Sequence, residues 1–185
     1  MLPKIFIISG PSGSGKTTII KKIKKILPDL KTGITYTTRA ERKSLVEDKV
    51  MRHISEKKFK DKIRKKEFAE WAFANGNYYG TETASLQRLI KKNNVILNIE
   101  SIGAFQIKKK YPDDTILIFI QAESMKESMR RAIHRQKLNP TELSARKEKT
   151  RQELKASKKY DFTILNKRGE LDTAVGKILK IMKTC

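Results

Sequence analysis

Gly10-Pro11-Ser12-Gly13-Ser14-Gly15-Lys16-Thr17 fills every fixed position of the pattern G-x-x-x-x-G-K-[ST]. Ile5-Phe6-Ile7-Ile8-Ser9 precedes it, an apolar run with the character of a buried strand. Ile19, Ile23, Ile26 and Leu27 follow at helical spacing. The motif thus lies between a strand and a helix, the setting in which it can work. Its glycines let the backbone curl so that successive N–H groups face inward as an anion nest, and the following helix adds its positive end. Lys16 can reach the outer phosphates of a nucleoside triphosphate, and the Thr17 hydroxyl is placed to ligate Mg2+. The stretch Gly10 to Thr18 is therefore expected to bind a nucleoside triphosphate.

The length of 185 residues suits one domain whose core needs neither a disulfide nor a structural metal. Cys185 is the single cysteine, which excludes an intramolecular disulfide or thiolate cluster and fits a reducing compartment. The apolar runs are too short to span a bilayer, and the first of them ends in the phosphate loop rather than in a cleavage site. A cytoplasmic protein without membrane association is expected, as a monomer or homodimer. The net charge is +22. It has three readings: a nucleic-acid surface, electrostatic steering of phosphate-rich substrates, or a composition biased toward lysine. The lysines decorate helical outer faces, as in Lys21-Lys22, Lys24-Lys25, Lys57-Lys58 and Lys108-Lys109-Lys110, without the interleaved aromatics of a base-stacking surface. The third reading fits best, and no dedicated nucleic-acid binding is expected.

Further apolar runs read as buried strands: Val95 to Ile99, Thr115 to Ile120, Phe162 to Leu165 and, more weakly, Ile34 to Thr37. Helical patterns lie between them. The last is the clearest, with Leu171, Val175, Ile178, Leu179 and Met182 on one stripe. This alternation predicts an α/β fold, a parallel sheet covered by helices, with ligands beyond the carboxyl ends of the strands. Residues 35–92 break the alternation and read as an inserted subdomain. Residues 134–150 are very polar, carry the turn signal Asn139-Pro140 and suit a mobile, arginine-rich flap.

Three further segments carry a family resemblance. Thr37-Thr38-Arg39 is followed by Arg42. Glu67-Phe68-Ala69-Glu70-Trp71-Ala72 is followed by Gly76-Asn77-Tyr78-Tyr79-Gly80-Thr81. With the Pro11-Ser12 form of the phosphate loop, they resemble the guanylate kinase family nearly end to end. The resemblance implies a P-loop three-layer sandwich. Its core would be 1–34, 93–133 and 151–185, its GMP-binding subdomain 35–92 and its lid 134–150. It implies phosphorylation of GMP, and of dGMP, by MgATP. It further implies that Thr35, Arg39, Arg42, Glu70, Tyr79, Thr81 and Glu100 bind the acceptor. Arg131 and Asn166 would contact ATP, and Arg135 and Arg146 would close with Lys16 and Arg39 on the transferring phosphoryl group.

The chemistry of these residues agrees on its own terms. Guanine shows two adjacent donors, N1–H and the 2-amino group, beside the O6 acceptor. One carboxylate accepts both, so Glu70 suits a guanine reader, whereas adenine would set a lone pair against it. The Thr81 hydroxyl could donate to O6. Arg39 and Arg42 present guanidinium forks that pair bidentately with a monophosphate, and Tyr79 adds a phenol. Tyr78 equally suits packing, Trp71 reads as subdomain core, and Asn166 reads equally as a turn residue after the fourth strand. His53 and His134 have no partner pattern.

The chain departs from the family at Lys49-Val50-Met51-Arg52-His53, where a Gly-x-Asp-Tyr-x-Phe segment is usual. Met51 stands where the family's tyrosine donates to the GMP phosphate, leaving Arg39, Arg42 and Tyr79, with Arg52 or His53 as helpers. The Pro and Gly-Glu elements that precede that segment are missing around Glu41 to Val46. Asn98 stands where an aspartate is common, and Glu100 keeps a carboxylate one methylene longer. Relaxed base choice, a non-catalytic phosphopeptide-binding module and a basic RNA-binding protein are the competing readings.

Overall fold

The computed structural model describes residues 2–41, 51–135 and 140–185. The chain divides into two compact units, one formed by Phe6–Pro28 and Ile116–Cys185, the other by residues up to Ile5 and Asp29–Thr115.

In the first unit, strands β1 (Ile5–Ser9), β7 (Thr115–Ala122) and β8 (Phe162–Asn166) stand side by side in the order β1-β7-β8. β7 and β8 run parallel, in register from Ile118 opposite Phe162 to Ala122 opposite Asn166. β1 is buried along its whole length, as its unbroken apolar run requires. Each buried isoleucine there contributes ~1.5–3 kcal/mol over its exposed state. Helix α1 (Lys16–Ile26) buries Ile19 and Ile23. The final helix α7 (Leu171–Thr184) buries Ala174, Val175, Ile178, Ile181 and Met182, so the expected stripe is the core face, with Leu171 and Leu179 half-buried at its margin. Helix α5 covers Met125–Arg135, and helix α6 covers Pro140–Ala156. The polar stretch read as a flap is therefore largely helical, and Pro140 opens α6 because a proline at the first helical position loses no hydrogen bond.

The second unit is built on a sheet of order β3-β2-β5-β4. It comprises β2 (Thr35–Thr37), β3 (Met51–His53), β4 (Phe68–Ala74) and β5 (Asn77–Glu82). β2 pairs parallel with β3 and antiparallel with β5, and β4 and β5 form a hairpin closed by Asn75 and Gly76, both at positive φ. Helix α2 (Glu56–Arg64) starts at Ser55, whose hydroxyl accepts from the Lys58 N–H at 3.3 Å, and Glu56 in its first turn complements the helix dipole. α2 inserts the fully buried Phe59 against Tyr36 and Phe68. Phe59 stacks on Phe68 at 4.5 Å and on Tyr78 at 5.3 Å, so Tyr78 is a packing residue.

A register shift between Phe68 and Glu70 changes the phase of β4. Phe68 can then join this aromatic cluster while Glu70, Ala72 and Ala74 are buried and Trp71 and Phe73 face solvent. The expectation that Trp71 is core is corrected: the strand alternation sends it outward, 37% exposed.

Strand β6 (Val95–Asn98) follows helix α3 (Thr83–Ile90), and the Val95 N–H donates to Lys4 O at 2.9 Å. Helix α4 (Ser101–Lys110) lies along β4. The Gln106 amide accepts from the Trp71 N–H at 3.1 Å and donates to Trp71 O at 2.9 Å. Lys110 Nζ donates to Ala69 O at 2.6 Å and Phe68 O at 3.3 Å.

Candidate active site

The first unit carries the glycine-rich loop between β1 and α1. Gly10, Gly13 and Gly15 all hold positive φ. At Gly10 a Cβ would stand 2.1 Å from Ile120 O, and at Gly15 2.2 Å from Asn166 Nδ2, so the loop is glycine-rich for room as well as for torsion. Lys16 Nζ donates to the carbonyls of Gly10 and Pro11, arching back over the loop. Ser14 Oγ is buried without a hydrogen-bond partner among the described residues. An orphaned hydroxyl beside a ring of glycines at the start of α1 fits a site for phosphate oxygens. Thr17 is half-buried on the first turn of α1, and Ser12 and Thr18 are exposed.

Two side chains brace this loop directly, and Arg131 supports one of them. Asn166 is the last residue of β8 rather than a turn residue beyond it, and is buried. Its Nδ2 donates to Ser14 O at 2.8 Å. Ser128 Oγ on α5 donates to Ser12 O at 2.7 Å. Arg131 approaches Asn166 O at 3.4 Å and donates through Nε to Glu127 at 2.7 Å. The guanidinium groups of Arg130 and then Arg131 hold the Glu127 carboxyl down at about 2. Arg146 on α6 places Nη1 3.5 Å from Ser12 Oγ, at the outer limit of a hydrogen bond. Lys16, Arg131, Arg146 and Asn166 are thus gathered round one loop. Arg135 closes α5, and its side chain lies outside the described residues. Ser128 and Glu127 gave no signal in the sequence, because a serine or glutamate in a polar helix carries no motif.

The second unit gathers polar side chains on one face of its sheet. Thr81 lies opposite both Thr35 and Glu70, and Tyr79 opposite both Thr37 and Ala72. Met51 is paired with Thr35 and His53 with Thr37. The pleat therefore puts Thr35, Thr37, Met51, His53, Glu70, Tyr79 and Thr81 on one face, and the Tyr36–Phe59–Phe68 cluster on the other. Glu70 is buried, 3% exposed, and accepts from Thr81 Oγ1 at 2.6 Å. Burial pushes its carboxyl up to about 7, against the pull of the Thr81 hydrogen bonds and the Lys110 charge.

Arg39 follows β2, with its N–H on Thr37 Oγ1 at 3.1 Å and its carbonyl 2.7 Å from His53 Nδ1. Arg52 takes the opposite face and donates to the Tyr36 hydroxyl at 2.9 Å, which removes it as a helper of Arg39. Glu100 is the residue before α4 and is half-buried. Arg42 lies outside the described residues, as does Lys49-Val50 of the departing segment.

The comparisons agree with this geometry. The guanylate kinase family model matches residues 2–185. The chain is 38% identical over 184 residues to a guanylate kinase of Prochlorococcus marinus, covering 99% of this chain and 98% of that protein. It is 37% identical over 179 residues to one from Caldanaerobacter subterraneus, covering 96% and 85%. Among solved structures, guanylate kinase from Anaplasma phagocytophilum superposes with a TM-score of 0.80 at 25% identity, over 99% of this chain and 86% of that one. With the α/β fold and the phosphate loop in place, the chain belongs to the guanylate kinase family.

Proposed function

We propose that this enzyme transfers the γ-phosphoryl group of MgATP to GMP, and to dGMP, by direct in-line displacement without a covalent intermediate. One observation carries the acceptor assignment: Glu70 is buried on the polar sheet face, with Thr81 fixing one oxygen. A carboxylate held there accepts from N1–H and the 2-amino group of guanine and offers adenine nothing. Because Thr81 gives its single proton to Glu70, its part is to aim the reader. Arg39, Arg42 and Tyr79 hold the acceptor phosphate, with Thr35 and Glu100 at the rim of the site.

On the ATP side, the loop N–H groups and Lys16 replace the loop's own carbonyl contacts with phosphate oxygens. Asn166 acts on ATP through the loop it braces. Among the described residues no cluster of three or more His, Cys, Asp or Glu side chains gathers. Thr17 would hold a Mg2+ ion, which would supply charge neutralisation at the phosphates. Arg131, Arg135 and Arg146 match the charge that develops during transfer. Residues 134–150 act as the lid, 35–92 as the acceptor subdomain, and 1–34, 93–133 and 151–185 as the core. No described helix is long and apolar enough to cross a membrane. On the family resemblance we place the activity on small-molecule substrates in the cytoplasm.

A coupled assay with MgATP and each nucleoside monophosphate tests the reading. GMP and dGMP should be phosphorylated with kcat/KM at least ~10³-fold above AMP, since buried polar groups left unpaired by the wrong base discriminate strongly. Equal turnover of GMP and AMP would refute it.

A further inference from the structure

Helix α4 carries a glycine at its third position, Gly103, which is buried. Glycine weakens a helix interior relative to alanine. Gly103 does not hold a positive φ, so its backbone would accept an L-residue. What alanine lacks there is space. A Cβ on Gly103 would stand 2.1 Å from Glu70 Oε2, 2.9 Å from its Cδ and 3.4 Å from its Cγ. The carboxyl group of Glu70 is thus seated on the bare helix backbone through Oε2, while its Oε1 accepts from the hydroxyl of Thr81 at 2.6 Å.

We infer that Gly103 is a positioning residue for base selection: its missing side chain is the seat that holds Glu70 in line for the acceptor base. The inference rests on reading Glu70 as the guanine reader. The atoms in conflict are the end of a side chain, so the backbone of α4 need not move when a methyl group is added. Glu70 gives way instead. It must leave Thr81, and its two oxygens no longer face the base donors together. A methyl group at Gly103 therefore acts on specificity before it acts on the fold.

The test is a cycle of Gly103→Ala and Glu70→Ala, read by kcat/KM for GMP and AMP, KM for ATP, and thermal unfolding. Gly103→Ala should raise KM for GMP by ~10-fold or more, losing one charged hydrogen bond of ~1.5–3 kcal/mol converted to affinity, with kcat at saturation falling less and KM for ATP unchanged. In the Glu70→Ala background the same methyl group should change neither selectivity nor stability adversely, since its obstacle is gone. Selectivity preserved in Gly103→Ala, while Glu70→Ala abolishes it, overturns the seat and leaves the reader standing. Selectivity unchanged in Glu70→Ala overturns the reader itself. If Gly103→Ala unfolds alone but folds with Glu70→Ala, the glycine serves the packing of Glu70 and the fold, and its role in base selection is overturned. Unfolding in both backgrounds would mean that Gly103 answers to something other than Glu70, and the inference fails.

Discussion

Replacing Glu70 by glutamine should make the unliganded enzyme more stable at alkaline pH while impairing base selection. The folded carboxyl titrates at about 7 instead of its ordinary 4.5. The folded state therefore binds this proton more tightly than the unfolded state does. The stability tied to it is complete below the ordinary value and is lost as pH rises through about 7. At ~1.4 kcal/mol per pH unit, that displacement amounts to ~3 kcal/mol of lost stability above neutrality. Glutamine has the same length, still accepts from Thr81, and carries no charge to desolvate. Urea unfolding of both forms at pH 5 and pH 8.5 measures the effect. The glutamine form should be nearly matched by the parent at pH 5 and lead it by ~2–3 kcal/mol at pH 8.5. A lead that does not grow with pH, or no lead, refutes the argument that buried ionisation of Glu70 destabilises the resting enzyme. The same variant should lose at least ~10-fold in GMP selectivity over AMP, because an amide cannot accept from both base donors.

Other outcomes follow from the phosphate loop and from the polar sheet face. Lys16→Ala should lower kcat by at least ~10²-fold with thermal unfolding little changed, because a cation for the transferring group is gone. Met51→Tyr places a phenol on the polar sheet face, and should lower KM for GMP by ~10-fold or more without altering KM for ATP; titration of GMP at saturating MgATP decides it. If the ring overpacks instead, unfolding temperature falls with no gain in KM. Asn166→Ala strips Ser14 O of its buried donor, so it should cost ~1–3 kcal/mol by denaturant titration and raise KM for ATP.

Four expected strands were legible because a continuous apolar run has few other homes; the weaker fifth, Ile34 to Thr37, is also a strand, but it is β2 of the second unit's mixed sheet and not a parallel-sheet strand. The phosphate loop was legible because its glycines, lysine and threonine act through adjacent positions. The acceptor face was less so. β3 is three residues long and paired in parallel with β2, so no local alternation announces that Met51 and His53 share a face with Glu70. The outward turn of Trp71 depends on the register shift between Phe68 and Glu70, which no residue type signals. Gly103 carries no local signal of its role, since its neighbour Glu70 is 33 positions away in sequence. Only folded coordinates bring them within one atom's breadth.

The grip of α4 on β4 has a further consequence, for solubility. β4 is an edge strand, and an edge exposes a ladder of donors and acceptors to which a second chain could add itself. Gln106 meets both the N–H and the carbonyl of Trp71, much as a neighbouring strand would, and Lys110 takes the carbonyls of Phe68 and Ala69. Phe73, 56% exposed, lies two residues beyond the last of these contacts. A sticky aromatic hairpin thus begins next to an edge that its own helix has already satisfied. Recruitment of another copy by strand addition would first have to peel off Gln106 and Lys110, and that protects a concentrated enzyme from aggregating along this edge.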